Sequence, residues 1–130
     1  MSDSENASFR VLLEDVVLMR PSNDDGRASE VRTALAERAK GGPFFVIADF
    51  TGVKRLHSEA GSRGGDIVDP AWIRGAVFIN AGTSVKLGLK VFRLAMLLKG
   101  KEFPMEHVSS LEEALATVER LRTRDLSSTG

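Results

Sequence analysis

Asp49, His57 and Ser58 bring an acid, a base and a hydroxyl nucleophile into one short stretch of the chain. These are the residue types of a hydrolytic triad, in which a carboxylate orients an imidazole that deprotonates a serine. His57 and Ser58 are sequence neighbours, however, an awkward geometry for a base and its nucleophile, and no Gly-x-Ser-x-Gly elbow accompanies them. The plainer assignment has Asp49 closing a turn, Ser58 capping a helix and His57 in solvent. Metal ligation fares no better. The two histidines, His57 and His107, are far apart and form no His-x-x-x-His pair. Asp66 and Asp69 could join His57, but a solvated helix end accounts for both, and no metal is expected. Gly61-Ser62-Arg63-Gly64-Gly65 lacks the Gly-Lys-Ser/Thr ending of a P-loop and the spacing of a dinucleotide fingerprint, so no nucleotide cofactor is expected. Gly82-Thr83-Ser84 is the better anion site, because unpaired backbone N–H groups point outward where a helix begins. Every helix start shares that property.

The elements that position these residues follow from hydrophobic periodicity and turn chemistry. Phe9–Glu14 and Val16–Met19 read as two strands of a hairpin turning near Glu14-Asp15. Pro21–Gly26 is rich in turn formers. Ala28, Val31, Leu35 and Ala39 then recur at helical spacing, with Gly41-Gly42 as the stop. Pro43–Phe50 is apolar almost throughout, as a central strand covered on both faces must be. A short helix is expected from Ser58 to about Val68, weakened by Gly61, Gly64 and Gly65 and ended by Asp69-Pro70. Gly75–Ile79 is a second apolar strand. Asn80–Ser84 is a loop ending in a Ser or Thr cap, followed by the longest helix, Val85 to about Leu98. Phe103–Val108 forms a last strand, placed at a sheet edge by Pro104. Ser110 and Glu113 form a capping box for a final helix whose Leu111, Ala114, Leu115, Val118 and Leu121 share one face. The order ββαβαβαβα predicts an α/β domain: a mostly parallel sheet of four to five strands, an N-terminal antiparallel hairpin and about four helices.

Composition narrows the function classes. With 18 Lys+Arg against 18 Asp+Glu, no global field draws the chain to nucleic acid or to an anionic membrane. The absence of cysteine removes disulfides, thiolate metal sites and a thiol nucleophile. Met1–Ser8 is acidic and polar, unlike a secretory signal, and no apolar run approaches the ~20 residues that span a bilayer. A cytoplasmic protein with one domain over residues 8–122 is expected, with flexible ends at 1–7 and 123–130.

Three segments carry a resemblance that covers nearly the whole chain, from Ser8 to Arg122. They are Asp49-Phe50-Thr51-Gly52-Val53 after the central strand, Val77 to Val85 entering the long helix, and Phe103-Pro104 through Ser109-Ser110-Leu111-Glu112-Glu113-Ala114-Leu115. In this order they are similar to the STAS fold, and in particular to its SpoIIAA-like branch of anti-sigma-factor antagonists. The resemblance implies a non-enzymatic regulatory module that binds a partner protein through the corner of Asp49, Thr51, His57, Ser58 and Glu59. In phospho-switching members the corner reads Asp-Ser-Ser/Thr-Gly, and the hydroxyl just before the glycine accepts phosphate. Alignment from Asp49 places Glu59 there, and one inserted residue places Ala60 there. Neither supplies the hydroxyl. Glu59 at a helix start mimics a permanently charged state, and Ser58 remains an alternative acceptor.

The helix from Val85 carries the most unusual surface. At ~100° per residue, Lys86, Lys90 and Arg93 form one narrow polar stripe that also contains Leu97. Apolar residues, Leu89, Phe92 and Met96 among them, fill the remaining arc of roughly 220°, whereas packing on a sheet needs little more than ~100°. Either neighbouring elements cover the surplus, or it is exposed for dimerisation, a partner protein or a lipid. Trp72 is a further interface anchor or a core residue. A lipid or apolar small-molecule site is the alternative function, with Leu89, Phe92 and Met96 lining its cavity. Nucleic-acid binding is not expected, for want of a basic patch interleaved with aromatics.

Overall fold

The computed structural model describes residues 9–20, 28–53, 69–100 and 103–129. Strands β1 (Phe9–Leu13) and β2 (Val16–Met19) form an antiparallel pair. They turn at Glu14-Asp15, as the sequence indicates. Helix α1 (Ala28–Ala39) leads to β3 (Phe44–Asp49), and a 3-10 turn (Pro70–Trp72) leads to β4 (Ile73–Ile79). Helix α2 (Thr83–Leu98), β5 (Met105–Val108) and α3 (Leu111–Thr129) complete the described chain. The fold is α/β, built on one five-stranded mixed sheet with three helices among the described residues.

The strands lie side by side in chain order, and β2 through β5 run parallel. Alternation along them divides the core into two layers. Val17, Phe44, Val46, Ala48, Ala76 and Phe78 point to one face, where they meet Leu35 of α1 and Val85, Leu89 and Met96 of α2. Val16, Leu18, Phe45, Ile47, Val77 and Ile79 point to the other, against Ala114, Val118 and Leu121 of α3. The continuous apolar runs of β3 and β4 are therefore those of strands covered on both sides. Helices α1 and α2 share one face, as crossovers of the usual right hand between parallel strands laid down in chain order require. Helix α3 closes the opposite face.

Several boundaries differ from expectation for physical reasons. Helix α2 begins at Thr83, and its N-cap is Gly82 (φ −75°, ψ 177°), with no side chain capping it. Thr83 and Ser84 thus lie inside the first turn instead of serving as the cap. Strand β5 starts at Met105, after Pro104, which has no N–H to give to a ladder. Helix α3 continues to Thr129. The helix expected from Ser58 to Val68 lies outside the described residues. At the start of α3, Ser110 Oγ accepts from Glu113 N–H (3.1 Å), and Glu113 Oε1 accepts from Ser109 N–H (3.0 Å). The capping box forms, with its return bond displaced by one residue. No helix among the described residues is long and apolar enough to cross a membrane.

Candidate functional site

The carboxyl ends of the parallel strands gather a small polar cluster. The chain leaves β3 through a turn, Phe50–Val53, closed by Val53 N–H donating to Phe50 C=O (2.9 Å). Gly52 takes φ +82° in it, the conformation required at the third position of a type II turn. Asp49 Oδ1 accepts from both the backbone N–H (2.9 Å) and the hydroxyl (2.6 Å) of Thr51. Asn80, at the end of β4, donates through Nδ2 to Thr51 Oγ1 (2.9 Å). Its backbone has φ +53°, a left-handed conformation that asparagine adopts more readily than most residues. Arg20, just after β2, brings Nε to 3.8 Å from Asp49 Oδ2.

This cluster does limited chemistry. Thr51 donates its proton to Asp49 and accepts from Asn80, so its hydroxyl locks two strand ends together. The Arg20 side chain is 63% exposed, and such a pair contributes little in water. The strand order never reverses within the described sheet, so there is no topological switch point of the kind at which doubly wound sheets hold ligands. Asp49 and Thr51 are thus brought together as the sequence suggests. His57, Ser58 and Glu59, the rest of the proposed corner, lie outside the described residues. So do Asp66 and the glycine loop 61–65. Arg20 and Asn80 were not foreseen as parts of the cluster. The signal for Asn80 is its position, an asparagine where a strand breaks toward Ala81-Gly82; Arg20 carries none.

Beside this corner, Gly82, Thr83 and Ser84 start α2 and leave its first turn without a side-chain cap. Lys86 lies one turn on. Desolvation, and then the charge of Lys86, push the His107 imidazole below its ordinary pKa. The ring lies 5.4 Å from that of Phe78. Among the described residues, no group of three or more His, Asp or Glu side chains is placed to hold a metal ion.

At the amino ends of the strands, an open cleft is lined by Glu14, Asp15, Arg38, Gly41, Gly42, Pro43 and Arg74. Asp15 anchors it. Its Oδ1 accepts from Arg122 Nη2 (2.6 Å) and its Oδ2 from Arg122 Nε (3.0 Å), a two-pronged clamp, while Arg74 Nη1 approaches Oδ2 at 3.4 Å. The Arg74 guanidinium also sits 4.6 Å from the centre of the Phe45 ring. Burial raises the Asp15 pKa, but the Arg122 hydrogen bonds and charge, a backbone hydrogen bond and Arg74 outweigh it and hold the carboxyl below its usual range. Sequence reasoning missed this network. It joins the first hairpin to the last helix, and no local pattern marks it.

The outer surface of α2 is the other outstanding feature. Val85, Leu89 and Met96 are buried, and Phe92 packs against them. Trp72 also leans on that core. Leu89, Phe92 and Met96 therefore belong to the packing beneath the helix, whatever covers it outside. The remainder of the apolar arc is uncovered: Leu87 is 60% exposed, Val91 45%, Leu94 61%, Leu97 42% and Leu98 89%. Lys86, Lys90 and Arg93 are exposed beside them.

No protein-family model, no curated protein and no solved structure matches this chain.

Proposed function

We propose that this chain is a non-enzymatic regulatory or protein-interaction module, similar to the SpoIIAA-like anti-sigma-factor antagonists of the STAS fold. The uncovered ridge of Leu87, Val91, Leu94 and Leu98 on α2 carries the reading. Ordinary monomers do not leave several large aliphatic side chains together on one helix face unless that face has a use. The element order, the in-order parallel strands and the Asp49–Thr51–Asn80 corner support the same reading. That corner and the start of α2 form one end of the contact surface, and the exposed ridge extends it along the helix. By its alignment with the phosphate-accepting position of the SpoIIAA-like corner, Glu59 supplies fixed negative charge in place of a regulated phosphate. The chain then acts by occupancy of a partner, in the cytoplasm, without turnover of a substrate.

Native mass spectrometry of the protein purified gently from its host tests this reading, with Leu94→Asp as the comparison. A bound protein mass that the wild type carries and the variant lacks is the expected result. Wild type and variant that both run as the bare chain would count against it. A retained lipid-sized adduct would favour an apolar-ligand domain instead. The buried positions of Leu89 and Met96 do not favour that alternative.

A further inference from the structure

We propose that the partner docks a single amphipathic helix, aliphatic along its contact edge and acidic on one flank, along the outer face of α2. This inference rests on the interaction reading above and specifies the partner's chemistry. The exposed residues Leu87, Val91, Leu94 and Leu98 follow one another at intervals of four, three and four. That is the spacing of the a and d positions of a heptad, the seam along which one helix receives another. At ~100° per residue the seam lies almost opposite the row of Val85, Leu89 and Met96 that α2 buries against its own sheet. It therefore points straight outward.

The two flanks of the seam differ. On one side stand Lys86, Lys90 and Arg93, with Leu97 among them; on the other stand Gly88 and Ala95, seven residues apart and small enough to let a second backbone come close. Helix α2 contains no Asp or Glu, and among the described residues neither Lys86 nor Lys90 forms a salt bridge with a carboxylate. A complementary helix accordingly carries Asp or Glu on the flank that meets these cations. A second copy of α2 fits poorly, because it would add its own three cations to the same seam and bring no anion. A membrane surface fits less well too. Interfacial helices bury a broad face of Trp, Phe or Leu, whereas in α2 the face that holds Val85, Leu89, Phe92 and Met96 is already committed to the sheet and only aliphatic side chains are left outside.

The test uses two synthetic helices of about three heptads, both with Leu at a and d, one with Glu and one with Lys at e and g. Amide chemical shifts of the full-length protein are recorded during titration with each. The Glu helix is expected to bind, to perturb residues of α2, and to weaken as salt is added. The Lys helix is expected to bind about tenfold more weakly or not at all, and Leu94→Asp to lower affinity for the Glu helix by about tenfold or more. Leu94→Ala serves as a milder second variant, and circular dichroism confirms that both variants are folded. The double variant Lys86→Glu, Lys90→Glu is expected to reverse the preference. Equal binding of the two helices, no binding of either, or binding indifferent to Leu94 would overturn the proposal. Leu94-dependent uptake onto phosphatidylglycerol vesicles, or a Leu94-dependent dimer of the isolated chain, would overturn it as well. If a host protein is retained through Leu94 while neither helix binds, the interaction reading stands and the acidic-helix inference falls.

Discussion

Asp15 shows how much a single side chain contributes when three elements converge on it. It sits in the tight turn of the first hairpin, yet its strongest partner is Arg122 on the last helix, with Arg74 of β4 between them. The carboxyl's pKa lies below its ordinary value of 3.8, so its folded form holds protons less tightly than its unfolded form. Its stabilising contribution is then complete above that ordinary value and disappears as pH falls through the lower, folded-state value. Asp15→Asn is expected to lower stability by about 1 kcal/mol at neutral pH, as for a partly exposed but doubly held pair. The gap between wild type and variant should close only on acidification well below pH 4, the carboxylate range. Urea unfolding at a series of pH values measures it. A gap independent of pH would mean that the variant acts through packing alone.

At the scale of elements, β4 shows a close approach that requires a particular residue. An added Cβ at Gly75 would come within 3.1 Å of Phe45 Cδ1 and 3.2 Å of Leu121 Cδ1. The glycine lets α3 press directly onto the sheet there, while the Arg74 guanidinium stacks over the same Phe45 ring. Gly75→Ala improves strand propensity but forces both neighbours to shift, and overpacking of this kind costs ~1–3 kcal/mol. We expect a net loss near the lower end of that range, read as a lower thermal midpoint. An unchanged or raised midpoint would show that Leu121 relaxes freely. Helix α2 illustrates the opposite arrangement. It starts from a glycine with no side-chain cap, so its hold on the sheet comes from Val85, Leu89 and Met96 rather than from its own terminus.

At the scale of the whole molecule, the two faces of α2 should respond differently to the same substitution. Leu89→Ala removes a side chain that is 8% exposed and is expected to cost ~2–5 kcal/mol. Leu94→Ala removes one that is 61% exposed and should stay within about 0.5 kcal/mol. Chemical denaturation of both variants decides this. If Leu94→Ala were as costly as Leu89→Ala, the ridge would be covered within the chain and not available to a partner. The same contrast separates residues that hold this fold together from residues whose exposure calls for an external explanation.

Much of the architecture was legible in the sequence because it is local. The hairpin at Glu14-Asp15, the doubly covered runs of β3 and β4, the Gly41-Gly42 stop and the Ser110–Glu113 box all follow from patterns a few residues long. The apolar excess of the Val85–Leu98 helix was legible too, since helical spacing alone shows that one sheet face cannot use all of it. Which part of that excess stays outside was not legible, because it depends on where α1, α3 and the strands come to rest. Asp49 and Thr51 declare themselves as neighbours in a turn. Asn80 reaches them only because β4 lies beside β3, and Arg122 reaches Asp15 only because α3 folds back across the sheet. Sequence periodicity thus determined which residues share a strand or a helix face. Tertiary packing decided which face is covered and which distant charges meet, since burial and ion pairing between elements depend on distances in space rather than along the chain.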